Sequence, residues 1–528
     1  MNVFVIAWRS VRQRSLASSL TAFSMALGVM LVVAVLVIMG VVSEQFRSNA
    51  SLGYNLLVGA KGGRLQLTLN SVYYLSQPIE NVNYRFYLEF VDEDEREAQL
   101  RNSYAYRERV ARQNVASLDL VGLTGAGMPG FGALATAAAW QAMDDLEEDE
   151  LGANRDGKYS QFTEFLIPLC LGDYLDEFRV VGTSADMFGL LPEYLEEDNR
   201  AAKFAAGRNF RDWDEEHGFF ESVIGANVAE KLGLKIGDLI SPAHGNPDGH
   251  THERGFIVVG ILERNGSPND RAVFINIEGF FRMDGHSKPL EESEEEEPFD
   301  EALSGEETEP DPPLDHFAIR DRLPIENREF TAGLLRTSVP MFAIRLANRI
   351  NEGPDAQVVQ PVGEIYTLLD LFVRPIQGIL FVLAVMIVFV SGVSIMVSIY
   401  NSMADRRHEI AVMRALGAGR STILWIILLE SMIIALGGGF IGWGMGHVAS
   451  WVISPWVEAR TGVELGLFDI APAFNLTSIL ESVGMEPTIN MWVSELMLVP
   501  VLLVLAMLVG LLSAISAYRT EVAESLGK

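Results

Sequence analysis

The sequence predicts a membrane α-helical protein with four spanning helices and a large extracytoplasmic α+β domain inserted between the first and second. Three observations carry this prediction: four long windows almost free of charge, arginines gathered at particular flanks of those windows, and a net charge of −30 that falls almost wholly in one connection.

Residues 16–43 hold no Asp, Glu, Lys or Arg over 28 positions, and residues 376–399 hold none over 24. Residues 421–457 carry one acid, Glu430, and residues 496–518 carry no charge over 23 positions. A hydrocarbon core of about 30 Å takes about 20 apolar residues, so each window is long enough to cross once. The third exceeds one perpendicular crossing; its span is assigned to 421–450, with Trp451 and Trp456 in the interface. The first window is longer than the apolar stretch of about 7–15 residues in a cleaved signal, and no small-x-small site closes it. It is expected to remain as an anchor.

Orientation follows from the basic residues. Arg9, Arg12 and Arg14 precede the first window, Arg406, Arg407, Arg414 and Arg420 lie between the second and third, and Arg519 and Lys528 follow the fourth. The third connection, 451–495, has Arg460 against Glu458, Glu464, Asp469, Glu481 and Glu486. These flanks agree only if both termini and the connection 401–420 are cytoplasmic. Residues 1–15 then form a short amphipathic cytoplasmic segment, and 519–528 a cytoplasmic tail.

Residues 45–374 contain 30 Lys+Arg and 58 Asp+Glu, so the acidity is extracytoplasmic. Such a surface argues against nucleic-acid partners. The single cysteine, Cys170, falls here and cannot form an internal disulfide. Strands are expected at 54–58, 178–182, 222–224, 255–262, 272–275 and 341–346, and helices at 92–113 and 227–232, the latter closed by Gly233. The stretch 291–313 is too acidic and too poor in apolar residues to repay the entropy of ordering.

Two short segments bear chemistry. In 401–420, Ile410, Met413 and Leu416 recur at helical spacing and Gly417 can end the helix. On physical grounds this is either an amphipathic helix that docks into a partner or a positive-inside retention loop. The other segment holds His244, His250 and His252, with His286 further on, in a Gly- and Pro-rich loop. Imidazoles so spaced can ligate zinc or copper, although solvent-exposed histidines without a ligand role are the favoured reading. Gly438, Gly442 and Gly446 give the third window a small-residue face for helix packing, expected across a dimer. Glu430 is read as an intramembrane carboxylate that pairs with an arginine of 401–420 or sits at the helix-bundle interface. No G-x-x-x-x-G-K-[ST] occurs, and no nucleophile-elbow or protease spacing, so no catalytic residue and no resident cofactor is expected.

The segment from Asp405 to Ala418 resembles the FtsX-like permease signature, approximately E-R-x-x-E-I-x-x-[LM]-[KR]-A-[LIM]-G-A. It is matched at Arg406, Glu409, Ile410, Met413, Arg414, Ala415, Leu416, Gly417 and Ala418, with Asp405 replacing the usual Glu. The 45–374 domain is similar to the MacB-type periplasmic core at Leu57 to Gly62, Gly172-Asp173, Arg179 to Thr183, Val223 to Gly225, Leu232 to Asp238 and Val258 to Leu262. The resemblance implies the permease of an ATP-binding-cassette system in a bacterial inner membrane. It would work as a homodimer or paralogous heterodimer with separate ATPase subunits that bind the ATP, and with a periplasmic adaptor or substrate protein. Asp405, Arg406, Arg407, Glu409, Ile410, Met413, Arg414, Leu416 and Gly417 would then form the ATPase-coupling element. The resemblance equally fits a non-transporting machine that controls a periplasmic hydrolase or a sensor kinase.

Overall fold

The computed structural model describes residues 3–49, 52–111, 155–191, 203–287, 320–405, 410–470 and 495–518, with 474–475 and 492–493, apart from 79, 109, 246–248, 253, 284, 411, 415 and 462. The acid-rich stretch 291–313 and the tail 519–528 lie outside these residues. The chain divides into a helical unit, Met1–Arg47 with Tyr366–Lys528, and an α/β unit, Ser48–Ile365.

The helical unit is built from α1 (Val3–Gln13), α2 (Ser15–Asn49), α3 (Arg374–Asp405), α4 (Arg420–Thr461) and α5 (Leu498–Tyr518). Among the described residues, two stretches, Ser15–Asn49 and Arg420–Glu458, are long and apolar enough to cross a bilayer. Met25, Val29, Val33 and Val37 recur every four residues along α2 and are buried, which is the spacing of one helical face. That face meets the glycines of α4. A β-carbon on Gly438 would lie 2.6 Å from the Ala22 carbonyl oxygen, on Gly442 2.4 Å from that of Ala26, and on Gly446 2.7 Å from Val33 Cβ. Only hydrogen at these positions lets the two backbones approach so closely. The glycine stripe expected to face a second chain is therefore filled by the first helix of the same chain. The small-xxx-small pattern specifies close approach and is silent about which helix approaches. On the side toward α5, the Ser431 hydroxyl donates to the Ala506 carbonyl at 3.0 Å.

The α/β unit centres on one mixed sheet. Its strands are β1 (Leu56–Gly59), β3 (Thr163–Leu175), β4 (Phe178–Thr183), β5 (Phe204–Gly207), β6 (Glu221–Ile224), β7 (Leu239–Ile240), β8 (Phe256–Leu262), β9 (Ala272–Asn276), β11 (Ala332–Thr337) and β12 (Gln357–Val359); β2 (Val82–Asn83) and β10 (Glu329–Phe330) pair separately. The sheet order is β12-β1-β11-β3-β4-β9-β6-β8-β5, with β7 on β8. Among these pairs β4–β9 and β6–β8 run parallel. Phe178, Phe220, Phe256, Phe274, Ile275 and Val258 form its interior.

Most expected elements fall within two residues of observed ones, because short β-branched runs bounded by turns leave few alternatives. Gly233 closes the helix Ala226–Leu232 in the left-handed region at φ +67°. Residues 341–346 are not a strand. Pro340 opens the helix Pro340–Asn351, whose buried residues Ala343, Leu346, Ala347 and Ile350 have helical spacing, and Pro at the first helical turn favours that start. The helix expected over 92–113 breaks after Leu100; Asp92 caps its start by accepting from the Glu95 N–H at 3.0 Å. The 13-residue β3 was unexpected, since residues 165–171 are buried on both faces and show no alternation.

Buried charge holds the loops around the sheet. Glu278, in the turn of helix after β9, lies 3.4 Å from Arg328 Nη2, with both side chains almost wholly buried. The Glu278 carboxylate also accepts from the Leu323 N–H. Removing one partner strands the other charge, so Glu278→Ala is expected to cost about 3–5 kcal/mol, read as a lowered thermal midpoint of the detergent-solubilised chain. Gly442→Leu is expected to cost about 1–3 kcal/mol by forcing α2 from α4. In the same assay Gly444→Ala, where a β-carbon meets nothing within 4 Å, leaves the midpoint unchanged.

Candidate functional site

Three places in the chain gather polar or recognition side chains. The first is the connection between α3 and α4. Arg406, Arg407 and Glu409 lie outside the described residues, and Asp405 ends α3. Ile410 packs against the helical core, and Met413 and Arg414 are half-buried. Leu416 points away, 83% exposed. Gly417 has φ +96°; its N–H donates to the Arg414 carbonyl and that of Ala418 to the Met413 carbonyl, each at 3.0 Å. A left-handed glycine closing a helical turn in this way satisfies the last carbonyls. The three apolar residues thus divide, Ile410 inward and Leu416 outward.

The second lies inside the helical unit. Ser10 Oγ of α1 donates to Glu430 Oε1 at 3.0 Å, and both residues are buried. Glu430 is thus held at the helix-bundle interface by a hydroxyl of the N-terminal helix. Sequence reading missed a second buried carboxylate, Glu495, whose Oε2 lies 3.5 Å from His447 Nε2 on α4. Trp443 covers the His447 ring edge-on, with ring centroids 4.6 Å apart. Spacing could not pair residues 48 positions apart on either side of a long connection.

The third lies in the α/β unit. Asp173 sits near the end of β3, where the pairing with β4 shifts register between Leu171 and Tyr174; such a shift re-aims a side chain. Its side chain is fully buried. The next residue, Tyr174, exchanges backbone hydrogen bonds with Ala243 at 3.0 and 2.7 Å, and the His252 N–H donates to the Pro242 carbonyl at 2.9 Å. These bonds bring His244 and His252 back over Asp173. His286 arrives from beyond the helix Ile277–Phe281, its ring against Phe280 with centroids 4.4 Å apart.

Within this group His252 Nε2 lies 3.1 Å and His286 Nε2 3.0 Å from Asp173 Oδ2. His244 Nδ1 is 3.4 Å from Asp173 Oδ1 and 3.3 Å from His286 Nε2, and the Nε2 atoms of His252 and His286 are 3.2 Å apart. Burial pushes the His252 imidazole below its ordinary pKa, opposed by the Asp173 carboxylate. Of the three histidines first considered as ligands, His244 and His252 join this group. His250 is exposed and takes no place in it; its backbone carbonyl accepts from the His244 N–H. Asp173 was missed because nothing near it in sequence marks it. Cys170, three residues earlier, is buried and donates to the Glu329 carbonyl; burial pushes its thiol pKa well up.

Comparison with known proteins adds the family. The FtsX-like permease C-terminal model matches residues 381–522, and the MacB-like periplasmic core domain model matches residues 160–294. The chain is 25% identical over 291 residues to the macrolide export ATP-binding/permease protein MacB of Bdellovibrio bacteriovorus, covering 54% of this chain and 39% of that protein. It is 24% identical over 252 residues to the uncharacterized ABC transporter permease MJ1507 of Methanocaldococcus jannaschii, covering 46% of this chain and 51% of that one. A second protein named macrolide export ATP-binding/permease protein MacB, from Rhodopirellula baltica, is 28% identical over 152 residues, which is 25% of this chain and 22% of its own length. The chain therefore spans about half or less of the length of these relatives. With an FtsX-like permease region and a MacB-like periplasmic core domain in one polypeptide, the chain belongs to the MacB- and FtsX-type family of ABC transporter permeases.

Proposed function

We propose that this chain is the permease subunit of an ATP-binding-cassette machine that exports or extracts an envelope substrate, such as a lipid, lipoprotein, peptide or drug. ATP hydrolysis on a separate subunit would move its periplasmic unit. The observation that carries this reading is the FtsX-like match over residues 381–522, which takes in α4, α5, most of α3 and the connection between α3 and α4. In this reading α2, α3, α4 and α5 each cross the inner membrane once, with both termini and residues 406–419 cytoplasmic. The arginines flanking the helices support that topology.

In this proposal a separate subunit supplies the ATPase; the 528 residues contain no P-loop. The connection between α3 and α4 is the natural contact. Exposed Leu416, beside the glycine turn, offers an apolar anchor for a groove, and the charged residues Asp405, Arg406, Arg407, Glu409 and Arg414 surround it in sequence. Two copies of the chain, or one with a paralogue, would engage two ATPase subunits. Apart from Glu430 and His447 the apolar windows hold almost no ionisable residues to line a polar conduit, which suits work done on a substrate at the outer face better than conduction through a pore.

Pull-down of the detergent-solubilised chain is expected to recover an ABC ATPase, identified by mass spectrometry. A leucine that buries in a groove contributes about 1.5–3 kcal/mol, so Leu416→Asp is expected to weaken that association about tenfold or more while leaving membrane insertion intact. Arg414→Ala acts in the same direction. The coupling assignment fails if both variants retain full association, and the permease reading fails if correctly inserted wild-type chain recovers no ATPase.

A further inference from the structure

We infer that the α/β unit binds one zinc(II)-class cation between Asp173, His244, His252 and His286. The inference goes beyond the permease reading and does not depend on it. One donor atom from each of the four residues lies within 4.8 Å of every other. Four separations among His244 Nδ1, His252 Nε2, His286 Nε2 and Asp173 Oδ2 fall between 3.0 and 3.3 Å, and the other carboxylate oxygen, Oδ1, lies 3.4 Å from His244 Nδ1. Zinc–ligand bonds of about 2.0–2.2 Å in a tetrahedron require donor–donor edges of about 3.3–3.6 Å. The donors therefore stand close to the edge lengths of a small tetrahedral site.

The chemistry of the group requires a counter-charge. Asp173 Oδ1 is buried and accepts no hydrogen bond, and a buried, unsatisfied carboxylate oxygen is costly. Two imidazole nitrogens, those of His252 and His286, converge on the other oxygen while lying 3.2 Å from each other. A cation at the centre accepts every one of these lone pairs at once, with neutral imidazoles and an ionised carboxylate as its ligands. A second group, Asp214, His217 and Glu221, also meets the distance criterion. It needs no cation, because Arg208 holds Glu221 through two guanidinium nitrogens at 2.5 and 2.8 Å and Arg211 lies 2.7 Å from Asp214. No arginine or lysine stands within ion-pair distance of Asp173 among the described residues; Arg179 acts on it from further away, its guanidinium lying over the Tyr174 ring and donating to the Ser76 carbonyl.

The donor set selects the metal class. Three imidazoles and one carboxylate without thiolate suit zinc, with cobalt and copper(II) as competitors, and disfavour calcium, magnesium and copper(I). Four protein ligands close the coordination sphere, which is the pattern of a structural or regulatory site. Entry and exit have one open side: His244 is 55% exposed, whereas the side chains of His252 and His286 are 6% and 7% exposed. The cation joins β3 to the 241–252 loop and to the segment after Phe281, three elements that meet here only through side chains and a few backbone bonds.

The test uses the full chain, purified in detergent and stripped with chelator. Zinc chloride titrated by calorimetry is expected to bind at one equivalent with micromolar or tighter affinity, and cobalt(II) is expected to give the intense visible bands of tetrahedral coordination. His252→Ala and His286→Ala should each weaken zinc binding at least tenfold, as should Asp173→Asn, while His250→Ala leaves it unchanged. Because a ligand variant can misfold, the cobalt spectrum of the wild-type chain stands as an independent readout. Absence of zinc binding by wild-type chain at about 100-fold above micromolar levels, an octahedral cobalt spectrum, or equal loss of affinity in His250→Ala each overturns the assignment.

Discussion

The close approach of α2 to α4 is the contact on which the helical unit depends. It joins residues more than 400 positions apart, Ala22 to Val33 on one side and Gly438 to Gly446 on the other. Apolar burial cannot select this pairing inside a hydrocarbon solvent, since lipid tails are as apolar as leucine. Backbone proximity can, because three hydrogens in place of side chains let extended surfaces touch along two turns. The whole α/β unit Ser48–Ile365 is thereby, in chain order, an insertion between two segments of one helical unit.

The α/β unit handles buried charge in two ways. Glu221 and Glu278 are each matched by a guanidinium, from Arg208 and Arg328, and the pairs tie loops to the sheet. Asp173 is as deeply buried, and the partners within ion-pair distance of it are imidazoles, with Arg179 acting on it only from further away. An arginine fills the space around a carboxylate and ends its coordination; imidazoles present lone pairs at a distance set by rigid rings and leave the centre to an ion. The difference in partner converts one buried acid into a strut and the other into a ligand.

These two features occupy different units and carry different weight. The FtsX-like match takes in α4, α5, most of α3 and the turn at Gly417, whereas all four residues of the imidazole group fall within the MacB-like match over 160–294. Family membership explains the first and says nothing of the second, which rests on geometry alone.

By itself the sequence determined the apolar windows, the excess of acid in the inserted domain, the glycine stripe and the signature around Gly417. Each is a property of neighbouring residues: a run, a period or a spacing within one turn. It located five of the ten strands of the sheet, and it missed the longest, β3, because a strand buried on both faces has lost the alternation that marks it. Tertiary structure decided what meets what. It put α2 on the glycine stripe, it paired Ser10 with Glu430 across 420 positions, and it put Asp173 in place of His250 beside the other three histidines of the candidate metal group. A period or a spacing reports which face of an element is apolar, small or charged. Which distant element covers that face is set by the shape of the folded chain, and no local pattern encodes it.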